Sequence, residues 1–239
     1  MSAVVRCSSV GKVYRKYRLI GCQRVIGVHD LSFEVRDNEI FGLLGLNGSG
    51  KTTTIKLLLG LLHADAGDLR LLGRPVPDWR VNRYVGYLPE SVSFNKRFTG
   101  RELLTFFADV AGGVRGDRIE EVVRFVNLSE AIDRRVGEYS KGMLQRLGIA
   151  QAIVHDPRIL ILDEPSSGLD PVGIKETRDL IVELKRQGKT VLFSSHLISE
   201  LERVCDRVGI IHRGRLCRIV EQDEWRSKPL EDLFLQAIT

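Results

Sequence analysis

Long hydrophobic runs are absent from this sequence. The longest apolar stretch, counting glycine, is the seven residues Ile40–Leu46, whereas a helix that crosses a membrane needs about 20. The first residues also lack the apolar centre of a secretory signal peptide. We therefore expect neither a membrane-spanning segment nor a secretion signal in this chain.

Cysteine is scarce and scattered. The four cysteines stand far apart, form no Cys-x-x-Cys pair and have no histidine at the spacing of a zinc site. This pattern excludes a disulfide scaffold and a zinc module, and it favours free thiols in a reducing cytosol. The four positions are Cys7, Cys22, Cys205 and Cys217.

Negative charge is missing from the N-terminal segment. No acidic residue precedes Asp30, although the formal net charge of the whole chain is only +5. Two interpretations stay open, a solvated face of an early β-hairpin or a contact with nucleotide phosphate, acidic lipid or nucleic acid. The cations concerned are Arg6, Lys12, Arg15, Lys16, Arg18 and Arg24.

The composition is that of a globular protein, with 43% hydrophobic and 28% charged residues among 239. It predicts one large domain, or one with a sizeable insertion, and excludes collagen-like, coiled-coil and disordered chains. Residues 2–44 have the pattern of strands, and the pattern from 89 to about 155 is helical. After residue 156, short apolar runs alternate with helical stretches, which is typical of a parallel α/β sheet.

A phosphate-binding loop is predicted at Gly45–Thr52, which matches G-x-x-x-x-G-K-[ST] between a strand and a helix. Its glycines let backbone N–H groups surround an oxyanion, and the helix N-terminus adds a positive dipole end. Lys51 would bind the β- and γ-phosphates, and the Thr52 hydroxyl would ligate Mg²⁺. The predicted nucleotide ligands are Asn47, Gly48, Ser49, Gly50, Lys51, Thr52 and Thr53.

Two adjacent carboxylates follow the apolar run Ile159–Leu162. In an open α/β sheet the carboxyl end of such a strand faces the ligand crevice. Asp163 is suited to Mg²⁺, directly or through water, and Glu164 is a candidate general base for an attacking water. The alternative is a pair of carboxylates at a solvated strand end.

Taken together, these residues resemble the ATP-binding subunits of ABC transporters, over nearly the whole chain. Tyr139-Ser-Lys-Gly-Met-Leu-Gln-Arg146 is similar to the family's signature motif, and Ser166–Asp170 to its D-loop. His196, after two serines, is similar to the switch histidine. Glu90 ends a segment similar to the Q-loop, and Tyr14 falls where an aromatic residue stacks on adenine.

The resemblance implies an α/β fold of the P-loop NTPase type. In it, residues 1–239 would form a single ABC ATPase domain. Residues 1–88 and 156–239 would form a RecA-like core with an N-terminal antiparallel β subdomain, and residues 89–155 an inserted helical subdomain that carries the signature.

The resemblance also implies a head-to-tail dimer around ATP and Mg²⁺. Ser140, Gly142 and Asp170 would contact the nucleotide across the dimer. Glu164, His196 and Lys51 would be catalytic, with His196 sensing the γ-phosphate. The metal would be held by Thr52, Asp163 and Glu90.

Four residues depart from the family pattern: Leu46, Glu90, Lys141 and Met143. Glu90 replaces a glutamine and adds negative charge beside the metal, so we expect an altered Mg²⁺ affinity. The combination of Y-L-P-E with Y-S-K-G-M-x-Q-R resembles a branch that serves short export systems for drugs, polysaccharides, sodium or copper-site maturation.

The expected partners are an integral membrane permease and a second ATPase subunit, a homodimer being favoured. The chain would then be cytoplasmic and peripheral on the inner face of the membrane. We expect the permease to dock near Glu90–Thr99, where Phe94 and Phe98 are either a docking surface or local packing. With Tyr14 inside the basic segment, ATP phosphates or the membrane surface explain that segment better than nucleic acid.

Two rival functions were compared with this one. A DNA-repair or chromosome-structure ATPase would need long insertions between the phosphate loop and the signature, and the 89 residues from Lys51 to Ser140 leave no room. A soluble ABC ATPase of iron–sulfur cluster assembly has a similar length and remains the alternative.

Overall fold

The computed structural model of the chain describes residues 3–17 and 22–239. Its strands are β1 Ala3–Tyr17, β2 Cys22–Arg36, β3 Ile40–Leu44, β4 Ala66–Leu71, β5 Arg74–Pro75, β6 Val85–Leu88, β7 Ile159–Leu162, β8 Thr190–Ser195, β9 Arg207–His212 and β10 Arg215–Glu221. Its helices are α1 Lys51–Leu58, α2 Trp79–Asn82, α3 Gly100–Val110, α4 Arg118–Phe125, α5 Lys141–Ile153, α6 Pro171–Arg186, α7 Ile198–Val204, α8 Gln222–Ser227 and α9 Leu230–Ile238.

The chain divides into two compact units. The first unit contains Met1–Val81 and Leu192–Thr239, and the second contains Asn82–Val191. The limits predicted for the helical subdomain, 89–155, fall inside the second unit and stay a prediction.

The first unit contains an antiparallel sheet with the strand order β2-β1-β4-β5. The long β1–β2 hairpin places Tyr14 opposite Val25 and Arg15 opposite Arg24. Inward-facing residues of these strands, such as Val5, Leu31 and Val35, are fully buried, because alternate residues of a strand point to one face.

The same unit contains strands in the order β10-β9-β3-β8, with β3 parallel to β9. All five residues of β3 are buried, as expected for a parallel strand covered on both faces. The phosphate loop follows β3 and ends where α1 begins, so the sheet delivers this loop at a strand's carboxyl end.

The second unit pairs β6 with β7 in parallel and contains α3 to α6. A close approach joins β6 to α5, since a Cβ added to Gly86 would lie 2.1 Å from the Ala152 carbonyl oxygen. Glycine is therefore required at this crossing, and it fixes the helix that carries the signature against the strand that leads to Glu90.

The structure confirms the α/β class and the predicted order of strands and helices. Helix α3 starts with a capping box formed by Thr99 and Glu102, with both reciprocal hydrogen bonds present. The prediction of a helical pattern from residue 89 is wrong over its first eleven residues, because regular helix begins only at Gly100. Pro89 and the interspersed residues Ser91, Ser93 and Asn95 favour turns there.

Strand β10 and helix α8 were not predicted. β10 has a mixed pattern of burial, with only Val220 buried, so its sequence lacks the continuous apolar run that identified β3 and β7.

Two cysteine predictions can be compared with the structure. Cys7 is a buried free thiol whose pKa is raised by burial, and Cys217 is an exposed free thiol. The side chain of Cys22 lies outside the described residues. None of the helices in the described part of the chain combines the length and apolar character that a bilayer crossing needs.

Candidate functional site

The phosphate loop has the backbone geometry of an oxyanion cradle. Gly48 and Gly50 have φ angles of 78° and 114°, a left-handed region that glycine adopts without steric cost. A Cβ on Gly50 would also lie 2.8 Å from the Gly27 carbonyl oxygen. The loop can therefore turn its backbone N–H groups inward only with glycine at these positions.

Three observations show that the cradle fits a phosphate. The buried Lys51 lies in it, and its Nζ donates to the Gly45 carbonyl at 2.7 Å. Ser49 Oγ is buried and has no hydrogen-bond partner among the described residues. No side chain caps α1 at Gly50, and the first turn of that helix contains no acidic residue. An anion bound here would meet an ammonium group, a buried hydroxyl and a helix N-terminus.

Tyr14 lies beside the helix that follows the cradle. Its hydroxyl shares a hydrogen bond of 3.2 Å with Thr53 Oγ1. A Cβ on Gly27 would lie 2.7 Å from Tyr14 Cε2 and 3.0 Å from Thr53 Cγ2, so Gly27 makes the space for the tyrosine ring. The structure thus brings the predicted adenine-stacking residue and a predicted phosphate ligand into contact.

An open cavity of about 1050 Å³ adjoins Tyr14 on the basic hairpin. Arg15 and Arg24 line it, together with the apolar side chains of Val13 and Ile26. The two arginines face each other across the hairpin, an arrangement that is unfavourable for like charges. The side chains of Lys16 and Arg18 lie outside the described residues.

Two other cations of the basic segment are neutralised by local partners. Arg6 pairs with Glu34 at 2.6 Å, and Lys12 pairs with Asp65 at 2.9 Å. The Val13 N–H, and then Lys12, hold the pKa of the Asp65 carboxyl below its usual value. These two contacts are those of a solvated hairpin face, so among the described side chains of the segment the open question concerns the arginines at the cavity.

His196 is exposed, and its two neighbours in the chain are hydrogen-bonded to each other. Ser195 Oγ donates to Glu200 Oε2 at 3.0 Å and accepts from the Leu197 N–H at 3.0 Å. Ser195 and Glu200 are buried. Sequence reasoning assigned no role to Glu200; its position four residues after the histidine, at the start of α7, was the available signal.

In the second unit, β7 ends at the two predicted carboxylates. Asp163 and Glu164 are both buried, and the Asp163 N–H donates to the Leu88 carbonyl at 2.8 Å. Burial, and then the negative charges of Asp163 and Glu90, raise the pKa of Tyr87. Asp163 is only 1% exposed and Glu164 only 7% exposed. A pair at a fully solvated strand end is therefore wrong as an interpretation of Asp163 and Glu164.

A metal ion here would need ligands from outside the carboxylates. Among the described residues, no group of three or more His, Cys, Asp or Glu side chains could hold an ion by itself. Carboxylate oxygens, with phosphate oxygens added, are the kind of ligand that Mg²⁺ prefers.

The signature segment begins the helix α5. Ser140 is the N-cap, and its hydroxyl accepts from the Met143 N–H at 3.2 Å. Asp170 plays the same part for α6, where Oδ1 accepts from the Gly173 N–H at 2.7 Å. Ser140 is exposed and Gly142 is partly exposed, so the N-terminus of α5 is accessible, and its contact with a nucleotide stays a prediction.

One residue of the signature segment was missed by sequence reasoning. Gln145 is buried, and its Nε2 donates to the Pro165 carbonyl oxygen at 2.5 Å, directly after Glu164. Its sequence neighbours, Leu144 and Arg146, give no signal of burial. The need for a partner follows from the structure, because buried amides are nearly always hydrogen-bonded.

The model of one protein family, ABC transporter, matches residues 28–167, which is more than half of the chain. The bacitracin transport ATP-binding protein of Bacillus licheniformis is 39% identical over 239 residues, covering 99% of this chain and 76% of that protein. A Nod factor export ATP-binding protein of Burkholderia orbicola is 42% identical over 193 residues, covering 79% and 64%.

The chain is shorter than several of its relatives. It matches 65% of an uncharacterized ABC transporter ATP-binding protein of Nostoc, with 43% identity over 90% of this chain, and thus spans less than two thirds of that protein. A solved ATP-binding subunit of an ABC transporter superposes with a TM-score of 0.83 at 29% identity, covering 98% of this chain and 99% of that one. The chain therefore belongs to the ABC transporter family, whose cassettes are ATPases of the P-loop NTPase fold.

Proposed function

We propose that this chain is the ATP-hydrolysing subunit of a membrane exporter. The observation that carries the proposal is the cradle at Gly45–Thr52, with Lys51 inside it, the orphan hydroxyl of Ser49 and an uncapped helix start. The relatives named for bacitracin transport and Nod factor export support the export direction.

ATP would bind with its phosphates in the cradle and its adenine against Tyr14. Lys51 would exchange its bond with the Gly45 carbonyl for the β- and γ-phosphates, and Asn47, Gly48, Ser49, Gly50 and Thr53 would surround them. Thr52, Asp163 and Glu90 would hold a Mg²⁺ ion, which neutralises phosphate charge when bound.

Hydrolysis requires a base for the attacking water. Glu164 would accept the water proton as the water oxygen bonds to the γ-phosphorus. The bond from that phosphorus to the oxygen shared with the β-phosphate would break, releasing ADP and phosphate, while Lys51 stabilises the charge that develops on the phosphoryl oxygens. His196 would donate a hydrogen bond to the γ-phosphate. The hydrogen bond between its neighbours Ser195 and Leu197 would fix the backbone on both sides of it.

A second copy would complete each site. In a head-to-tail dimer, the N-terminus of α5 with Ser140 and Gly142, followed by Asp170, would approach the ATP held by the partner. The exposed start of α5 supports this arrangement, since a helix N-terminus stabilises a phosphate.

A permease would connect the dimer to the membrane, and the chain would lie at its inner face. Phe98, Phe106 and Val110 are exposed by 45%, 59% and 69%, so the second unit offers an apolar surface for a permease helix. Phe94 is only partly exposed and packs edge-on against Phe107, with ring centroids 6.2 Å apart. Of the two aromatics in question, Phe98 is therefore the docking candidate.

The test is the substitution Glu164→Gln in the purified chain. It removes the base but keeps the shape, so hydrolysis should fall about 10²- to 10⁴-fold, while ATP is still bound. With ATP present, the variant should run as a particle of twice the 26.9 kDa chain mass in size-exclusion chromatography with light scattering.

The control is Lys51→Ala, which should lose ATP binding and remain a monomer with or without nucleotide. A Glu164→Gln protein that hydrolyses ATP at the unaltered rate would contradict the role of Glu164. A protein that binds ATP but never dimerises would contradict the two-copy site. Co-purification with a membrane protein from detergent extracts separates the exporter from a soluble assembly ATPase.

A further inference from the structure

A buried side-chain bridge joins the signature helix to the loop that carries the proposed base. Gln145 lies on α5 with 7% of its surface exposed, and its Nε2 donates to the Pro165 carbonyl oxygen at 2.5 Å. Pro165 directly follows Glu164 in the chain. The hydrogen bond therefore ends one residue away from the carboxylate.

Two more contacts join the same elements. Lys141, the first residue of α5, places Nζ against Gly168, where an added Cβ would lie 2.0 Å from it. Arg146 pairs with Glu176 on α6 at 3.2 Å. Residues 163–176 are thus attached to α5 at two places, near its first turn and again one turn further along. A displacement of the start of α5 would therefore also move the loop that carries Glu164.

The Glu164 backbone needs such support. Its φ angle is 47°, a left-handed conformation that persists in a residue with a side chain only when the surroundings hold it. Within the loop, the Ser167 N–H donates to the Glu164 carbonyl at 3.0 Å and the Leu169 N–H to that of Ser166 at 3.2 Å. The bond from Gln145 is the contact nearest to Glu164 among those that tie this set of turns to α5.

We propose that Gln145 is a positioning residue that couples the two ATP sites of the dimer. The inference rests on the proposed function, in which Ser140 contacts the partner's ATP while Glu164 serves the ATP of its own subunit. When the partner's nucleotide engages the start of α5, Gln145 holds the Pro165 carbonyl and thereby sets the Glu164 carboxylate toward its own γ-phosphate. Each site then reports the occupancy of the other.

The experiment measures ATP hydrolysis by the purified chain as a function of ATP concentration. We expect the Hill coefficient to fall from about 2 to about 1 in Gln145→Ala. The maximal rate should fall about 10-fold, since a buried carbonyl loses its donor. The dissociation constant of ATP for the monomer, measured by fluorescence titration, should change less than about 3-fold, because the side chain of Gln145 bonds to Pro165, which is not a predicted nucleotide ligand.

Three further variants separate the hydrogen bond from packing. Gln145→Glu keeps the shape, but its ionised carboxylate cannot donate, so it should behave like Gln145→Ala. Gln145→Met retains the volume and is used if the alanine protein does not fold. Gln151→Ala makes the same chemical change six residues along the same helix and should keep the unaltered Hill coefficient and rate.

The outcomes distinguish this inference from the function on which it rests. An unaltered chain that does not hydrolyse ATP contradicts the proposed function. If the unaltered chain hydrolyses ATP with a Hill coefficient near 1, or if Gln145→Glu and Gln145→Met keep its coefficient and rate, only the coupling role is overturned. Loss of monomer ATP binding in these variants would also overturn it, because Gln145 would then be a general structural residue.

Discussion

Lys51 and Ser49 show how single residues of the cradle are prepared for a ligand. The Lys51 ammonium is buried and donates to a carbonyl of its own loop, so its charge stays inside the loop. Ser49 holds a buried hydroxyl oxygen without a hydrogen-bond partner among the described residues, which is unfavourable until an acceptor or donor arrives. Binding of a phosphate would therefore relieve an existing cost as well as form new contacts.

Also at the residue scale, Gly27 is predicted to control the position of the Tyr14 ring, which would stack on the nucleotide base. In Gly27→Ala the new methyl group would meet the Tyr14 ring at 2.7 Å, which is closer than carbon atoms approach, so the ring must move away from Thr53. We expect ATP affinity to fall roughly 5- to 30-fold, since a displaced aromatic ring loses about 1–2 kcal/mol of stacking. Titration of ATP by fluorescence measures the change.

The matched control is Gly116→Ala, because a Cβ there meets nothing within 4 Å. Its ATP affinity should equal that of the unaltered chain. Equal affinity in Gly27→Ala as well would show that Tyr14 does not contact the base.

At the scale of the element, two adjacent aromatic residues of α3 lie in different environments. Phe107 receives Phe94 from the preceding segment at 6.2 Å, whereas Phe106 on the same helix is 59% exposed. The capping box at Thr99 fixes where this helix starts, and hence which aromatic side chains face inward.

The substitutions Phe98→Ser and Phe94→Ser should consequently have different effects. Phe98→Ser should leave the free energy of unfolding within about 0.5 kcal/mol, since exposed positions contribute little, but should abolish stimulation of ATP hydrolysis by a reconstituted permease. Phe94→Ser should lower the free energy of unfolding by about 1–3 kcal/mol. Urea unfolding and ATPase assays with and without permease measure the two effects. If the permease stimulates Phe98→Ser as strongly as the unaltered chain, Phe98 is not part of the docking surface.

At the scale of the whole molecule, sequence and structure agree where local chemistry decides the outcome. The glycine pattern before Lys51, the continuous apolar run before Asp163 and the Thr99 capping box each depend on residues close together in the chain, and all three were predictable. The buried bond from Gln145 to Pro165 was not, because 20 residues separate the partners. The hydrogen bond from Ser195 to Glu200 was likewise not predictable, because it depends on where helix α7 begins.

Glu164 connects the proposed chemistry to the stability of the whole chain. At a φ of 47°, glycine is the residue that fits without strain. Glu164→Gly should therefore be more stable than Glu164→Ala by roughly 1 kcal/mol, reversing the usual order of these two residues. Urea unfolding of the two inactive proteins measures the difference, and the usual order would show that the turn is unstrained.

A left-handed turn beside a buried strand end is a place where selection for stability alone would install glycine. The glutamate that stands there instead lowers the stability of the turn in exchange for activity. In related chains that no longer need to hydrolyse ATP, a change from glutamate to glycine at this position would be readily accepted. It would mark a chain that still folds and binds nucleotide but no longer hydrolyses it.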